Sequence, residues 1–425
     1  MKKFLALIIA LVMALSLVAC GEQKQPETPD VPDDGGEQTA TIKVGFITLH
    51  DENSTYDLNF INAAKEAIAN LGLTENDYIL KTNIEEGQKC YDTAAELADA
   101  GCNIIFADSF GHESYMIQAA KDFPNVQFCH STGTRAHTEN LPNYHNAFAS
   151  IYEGRYLAGI AAGMKLNAMI EAGQFTADEA KMGYVGAFTY AEVVSGYTSF
   201  YLGAKSVCPT VTMDVTFTGS WYDEALEKEG AQLLIDKGCN LISQHADSLG
   251  APTACENAGV PNVSYNGSTK EAGPNTYIIS SRIDWAPYYE MAIKAVMDGT
   301  EIPADWTGDL STGSVVLTDL NSAVAAEGTQ AAIDEAKAKL ESGELHVFDC
   351  STFTTSVEAN PFKTDFLKVD ADGHITSYLA DVDTDEAYAG DTEVITDGYF
   401  SESTARSAPY FDLSIDGINL LDTKM

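Results

Sequence analysis

The stretch Gly101–Gly133 reads GCNIIFADSFGHESYMIQAAKDFPNVQFCHSTG, and the stretch Gly238–Ser268 reads GCNLISQHADSLGAPTACENAGVPNVSYNGS. Each runs from Gly-Cys-Asn into a short apolar strand, an Ala-Asp-Ser-x-Gly turn, a helical segment and a second strand beginning Pro-Asn-Val. The interval from Gly101 to Pro124 equals that from Gly238 to Pro261. A βαβ unit used twice at one spacing predicts two similar lobes, each with an Asp-Ser turn at the carboxyl end of a sheet strand. In open parallel sheets that edge is where ligands bind, so two facing edges make a cleft.

Outward from the repeat the same alternation holds. TIKVGFITL, YILKTN and CNIIFA read as strands, separated by helices in INAAKEAIANL and YDTAAELADAG. KMGYVGAF, VTMDVTFTG, NLISQ and NTYIIS follow as strands, with helices near 191–205 and 223–237. The expected class is α/β, with two doubly wound lobes of parallel sheet. Lobe 1 is expected over 41–155 with a return segment at about 282–320, lobe 2 over 156–281, and a C-terminal segment packing on the lobes over 321–425.

The first residues carry Lys2 and Lys3, an apolar run from Phe4 to Ala19, and then Cys20, the layout of an export signal. Leu17-Val18-Ala19-Cys20 resembles the lipobox of bacterial lipoproteins, which implies a signal peptide over 1–19, lipidation at Cys20 (palmitate among the acyl chains) and residence on the outer face of a bacterial cell membrane. Two acyl chains suffice for stable anchoring without a spanning helix. Residues 20–40 are rich in Pro, Gly, Glu and Asp and read as a disordered tether. The formal charge of −39 argues against a nucleic-acid partner, since phosphate binding needs a basic footprint. The acidic run DVDTDEAYAGDTEV lacks an EF-hand spacing and reads as solvated surface. Beyond Cys20, Cys90, Cys102, Cys129, Cys208, Cys239, Cys255 and Cys350 form no CxxC pairs, so neither zinc nor a disulfide framework is indicated. His130 and His245 fall in different lobes and do not make a metal set.

Gln244–Gly250, QHADSLG, holds a histidine, an aspartate and a serine within four residues. A nucleophilic triad needs the histidine between the other two in space, which neighbours at one strand end do not readily provide. The first copy, ADSFG, has the same frame without the histidine. The frame therefore reads as architectural, with Asp and Ser either capping the next helix or holding polar ligand atoms.

YEGRYLAGIAAG, KMGYVGAF and TGSWYDEALEKE, joined by FADSFG, FCHSTG, QHADS and DWAPYY, resemble the basic membrane protein family. These are the purine-nucleoside-receptor-like substrate-binding lipoproteins of ABC transporters. The resemblance is collinear from about Lys43 to Gly299 and implies a type I periplasmic-binding-protein fold that closes on a small molecule, with no cofactor. It implies delivery of a purine nucleoside or related base to ABC permease subunits, by a monomer that is not an enzyme. Aromatic faces for such a ring are expected from Tyr56, Phe110, Phe188, Trp221 and Trp285, and polar contacts from Asn59, Ser109, Gln244, Asp247, Ser248 and Asn266. Two positions depart from the family pattern. Asn266 stands where many members carry an aspartate for the ribose, and Ser281-Arg282 stand where many carry a lysine. The alternatives are a ligand-sensing receptor of the same fold and a hydrolase acting through Ser248, His245 and Asp247.

Overall fold

The computed structural model describes residues 42–382 and 392–424. The expected signal peptide, Cys20 and the tether lie outside these residues, as does most of the acidic run near 383–391.

In the first lobe, β1 (Val44–Ile47), β2 (Tyr78–Lys81), β3 (Ile104–Ala107), β4 (Gln127–Ser131) and β5 (Tyr144–Ala149) alternate with helices α1 (Thr55–Asn70), α2 (Gln88–Asp99), α3 (Glu113–Asp122) and the short α4 (Ala136–Glu139). Ser54 caps α1 by accepting a hydrogen bond from the Asp57 N–H. β1 (VGFI) and β3 (IIFA), at the middle of the sheet, are apolar and buried throughout because helices cover both faces of a parallel sheet. Ile104 and Phe106 face the cluster that includes Phe60 and Ile68 of α1. Ile105 and Ala107 face Leu97 of α2 and Met116 of α3.

After β5 the chain enters the second lobe at Ser150, so helix α5 (Ile151–Glu171) lies wholly there. Next come β6 (Lys181–Gly186), α6 (Ala191–Val207), β7 (Thr212–Phe217), α7 (Glu224–Asp236), β8 (Leu241–His245), α8 (Gly250–Ala258), β9 (Asn262–Tyr265) and β10 (Tyr277–Ile283). The chain then returns through α9 (Ala286–Asp298) and β11 (Asp305–Gly308) and crosses again to β12 (Val315–Leu317). The first sheet has the order β11-β5-β4-β3-β1-β2. The second adds β18 (Ile418–Leu420) at its far edge in the order β12-β10-β9-β8-β6-β7-β18. Position for position, β5-β4-β3-β1-β2 repeats as β10-β9-β8-β6-β7, the same strand order twice. Only the β10–β12 pair of these two sheets is antiparallel.

The motif GRYLAGIAAG does its work inside the second lobe, where α5 and α6 cross. A Cβ at Gly159 would stand 2.1 Å from the Phe200 carbonyl oxygen, and one at Gly203 2.0 Å from that of Tyr156, so the crossing requires glycine on both helices. Arg155 is fully buried between the rings of Tyr184, Phe200 and Tyr265. It donates to the Tyr184 hydroxyl (2.9 Å), Ser243 Oγ (3.1 Å) and the Ser264 carbonyl (3.2 Å), which pins α5 beneath β6, β8 and β9. Hydrogen bonding and ring faces together offset the desolvation of the guanidinium.

Residues 321–424 add α10 (Thr329–Glu341), the small sheet β13 (Leu367–Val369), β14 (Ile375–Ala380) and β15 (Thr392–Glu393), and the hairpin β16 (Ile395–Thr396) and β17 (Tyr399–Phe400). The segment touches both lobes. The N–H and hydroxyl of Ser407 donate to Asp305 on β11, whereas β18 pairs in parallel with β7. No helix of the described residues is long and apolar enough to cross a membrane.

Candidate functional site

The carboxyl ends of β1, β3, β4, β6, β8 and β9 converge on a narrow cavity of about 20 Å³, lined by Leu49, His50, Tyr56, Asp57, Ser109, Phe110, Thr132, Glu192, Trp221, His245, Asp247 and Asn266. Both lobes contribute, and they are bonded to one another at its edge. The Thr55 N–H and hydroxyl both donate to the Asp247 carbonyl, at 3.1 and 3.2 Å. Asn59 Nδ2 donates to the Asn266 carbonyl at 2.5 Å.

One wall is aromatic. Phe110 from the first lobe stacks on Tyr190 from the second, with centroids 5.3 Å apart. Tyr190 stacks in turn on Phe188 (5.1 Å), whose ring meets Trp221 edge-on at 5.2 Å. Such a strip offers flat apolar surface to a planar ring.

The other wall is acidic, and no lysine or arginine lines the cavity. Burial opposes the charge of Asp57, but hydrogen bonds from the His50 and Ser54 side chains and the His50 N–H outweigh it and hold this carboxyl below the usual range. Asp247 behaves oppositely: burial, then the charges of Asp57 and Glu227, push it well above that range. Burial and the charge of Asp57 do the same to Asp108, which accepts from the Leu49 N–H and lies under the Tyr56 hydroxyl's bond to its carbonyl. Burial holds His245 below the usual imidazole range although Glu192 faces its Nε2 at 3.5 Å. The site therefore pairs an ionised acceptor, Asp57, with carboxyls whose protonated form is favoured, so it offers a ligand both acceptors and donors.

Two residues of this wall sit in the left-handed backbone region. Thr132 has φ +71° directly after β4, and Asn266 has φ +66° directly after β9, equivalent places in the two lobes. Asparagine tolerates that conformation, but a β-branched threonine pays for it with strain of the kind that persists at functional positions. The buried Thr132 hydroxyl has no hydrogen-bond partner among the described residues and lines the cavity.

Of the residues expected from sequence, Tyr56, Ser109, Phe110, Trp221, Asp247 and Asn266 line the cavity. Five are placed elsewhere. Trp285 is a correction: it is 1% exposed and stacks on Phe60 at 4.5 Å, because the β10–α9 junction turns it into the first lobe's core. Gln244 is a second, buried within the sheet where its Oε1 accepts from Asn262 Nδ2 at 3.0 Å. Ser248 is a third: its N–H bonds Glu227 and its Oγ accepts from the Gly250 N–H, so it shapes the turn into α8. Asn59 latches the lobes, and Phe188 backs Tyr190 and Trp221. His245 faces Glu192 and Ser248 serves the turn, so His245, Asp247 and Ser248 do not form a triad. Of the two departures, Asn266 donates to Asp247 Oδ1 at 3.2 Å, and Arg282 pairs with Asp284 at 3.2 Å.

His50, Asp57, Thr132, Tyr190 and Glu192 were not anticipated. Extending the repeat upstream would have reached one of them, since Glu192 lies at the second position of the helix after its lobe's first strand, as the anticipated Tyr56 does in the other lobe.

Comparison with known proteins places this geometry among transport receptors. The family model described as ABC transporter substrate-binding protein PnrA-like matches residues 45–347. A purine-binding protein of Brucella abortus is 32% identical over 310 residues, 72% of this chain and 83% of that protein. A Haloferax volcanii protein named as a candidate glucose-binding protein of an ABC transporter is 35% identical over 223 residues, 52% of this chain and 53% of that one. A solved ABC transporter solute-binding protein from Aeropyrum pernix shares the fold, with a TM-score of 0.62 and 18% identity over 76% of this chain and 96% of that chain.

Proposed function

The chain belongs to the family of PnrA-like ABC transporter substrate-binding proteins, and from that membership we propose that it captures a purine nucleoside or related base between its lobes and delivers it to a permease. The reading rests above all on the aromatic strip of Phe110, Tyr190 and Trp221, drawn from both lobes, opposite a wall of buried polar groups. A purine ring stacks on the first, and ribose hydroxyls and ring N–H groups donate to Asp57, Asp247 and Asn266. The similarity to the Brucella purine-binding protein points the same way.

Capture works by hinge closure. The bonds from Thr55 to Asp247 and from Asn59 to Asn266 exist only when the lobes meet, so a ligand touching both walls adds its contacts to the closed arrangement and shifts the equilibrium towards it. The protein acts as a monomer held to the outer face of the cell membrane by lipid on Cys20, and no chemistry is done on the ligand.

Titration calorimetry with adenosine, inosine, guanosine, hypoxanthine and glucose tests this. The expected result is heat from a purine, recovery of that purine unchanged, and none from glucose. Glucose binding without purine binding would overturn the ligand class, and release of free base would overturn the transport role.

A further inference from the structure

Beside the cleft lies a second chamber of about 520 Å³, partly open to solvent. The two spaces share Phe110, Thr132 and Glu192 as walls. Its third wall is the segment Arg406–Asp412, which lies beyond the stretch matched by the family model. This chain has thus built an annex onto the cleft from residues of its C-terminal segment.

The chemistry of the annex follows from which of its polar groups are already committed. The Arg406 guanidinium donates to the carbonyls of Asp381 (3.3 Å), Val382 (3.3 Å), Ala408 (3.2 Å) and Pro409 (2.7 Å). Arg135 donates to Ser114 Oγ at 3.1 Å and pairs with Glu139. Glu113 accepts from the N–H groups of Thr134 (2.8 Å) and Arg135 (2.9 Å). Asp412 accepts from Lys363 (2.5 Å) and the Tyr378 hydroxyl (2.6 Å). Apart from the Thr132 hydroxyl and the Glu192 carboxylate at the wall shared with the cleft, what is left facing the space is mainly apolar: the rings of Phe110 and Tyr190 with Ala191, Ala408 and Pro409. An anionic group there would meet Glu113, Glu192 and Asp412 with both guanidinium groups engaged, which disfavours phosphate.

We propose that the chamber is a subsite for a neutral, apolar arm carried by the cleft ligand, so that the substrate class is a substituted purine nucleoside rather than a nucleotide. The inference rests on the nucleoside reading above. Its test compares adenosine with N6-benzyladenosine and 5′-deoxy-5′-methylthioadenosine, which carry neutral arms at opposite ends, and with adenosine monophosphate. At least one neutral-arm compound is expected to bind about tenfold more tightly than adenosine, as burial of a few carbon atoms gives, and the monophosphate more weakly. Ser114→Trp, on the exposed face of the chamber, should abolish the gain and leave adenosine affinity unchanged. Ala408→Trp provides the same block from the opposite wall should the first variant fail to fold. Equal affinities for adenosine and both arm-bearing compounds, or a gain that survives the tryptophan, would overturn the subsite while leaving nucleoside capture standing. Failure of every purine to bind would remove the nucleoside reading and this inference with it.

Discussion

Thr189 and Lys424 hold each other by reciprocal hydrogen bonds: the Thr189 N–H donates to the Lys424 carbonyl at 2.7 Å, and the Lys424 N–H donates to the Thr189 hydroxyl at 2.9 Å. Two residues earlier, the Asp422 carboxylate accepts from the Phe217 N–H and the Thr216 hydroxyl, both at 2.8 Å. The C-terminal tail thereby clamps the two loops that present Phe188, Tyr190 and Trp221. Asp422→Ala should cost about 1 kcal/mol in urea unfolding, the worth of exposed bonds to a charged acceptor. It should also weaken nucleoside binding in calorimetry. Lost stability with unchanged affinity would reduce the tail to an ordinary edge strand.

Trp221→Ala should weaken purine binding by about 2 kcal/mol, the size typical of an aromatic anchor. Tyr190→Ala should act similarly, since it removes the ring on which Phe110 stacks across the cleft. Affinities equal to those of the unaltered protein would mean that the strip packs the lobes and does not hold ligand.

Thr132→Gly separates strain from recognition. Glycine adopts φ +71° freely, so relief of about 1–2 kcal/mol is expected to offset part of glycine's entropic cost. Ligand affinity should fall because the hydroxyl that lines the cavity is gone. Melting temperature and calorimetry, measured on the same sample, check the two halves.

Glu227 gives a pH signature. Burial pushes its carboxyl up to about 7 from an ordinary 4.5. A folded-state value above the unfolded one means that its favourable contribution is complete below about pH 4.5 and is lost as pH rises through 7. The span is about 3 kcal/mol at most. Glu227→Gln keeps an acceptor for the Ser248 N–H while removing this proton, so the variant should match or fall below the native protein at pH 5 and exceed it at pH 8. Parallel stability curves would contradict the assignment.

Cys20→Ser should release the protein from the membrane fraction or leave it unprocessed. Retention equal to that of the unaltered chain would refute the anchor.

The repeat made both sheets legible before any coordinates, because a βαβ unit carries its turn chemistry locally. The aromatic candidates were harder to separate. Trp221 and Trp285 both stand next to turns, yet one faces the cavity and the other fills a core, and only packing against Phe60 decides the second case. Gln244 and Ser248 flank Asp247 in sequence, but the end of a strand sends neighbours to different surroundings, and Asp247 alone reaches the cavity. Thr132 escaped notice because a backbone angle leaves no mark on composition, and Glu192 because its pairing with His245 joins residues far apart in the chain. The tail's grip on Thr189 joins residues more than two hundred positions apart, beyond the reach of any local pattern.

All seven cysteines of the described residues are free and buried, and burial pushes the thiols of Cys129, Cys239 and Cys255 up to about 12. At neutral pH such thiols are shielded from alkylating reagents and almost wholly protonated. With Cys20 replaced by serine, two cysteines introduced on exposed surface, one on each lobe, would then take a dye pair selectively. Energy transfer between the dyes would time the opening and closing of the jaws molecule by molecule.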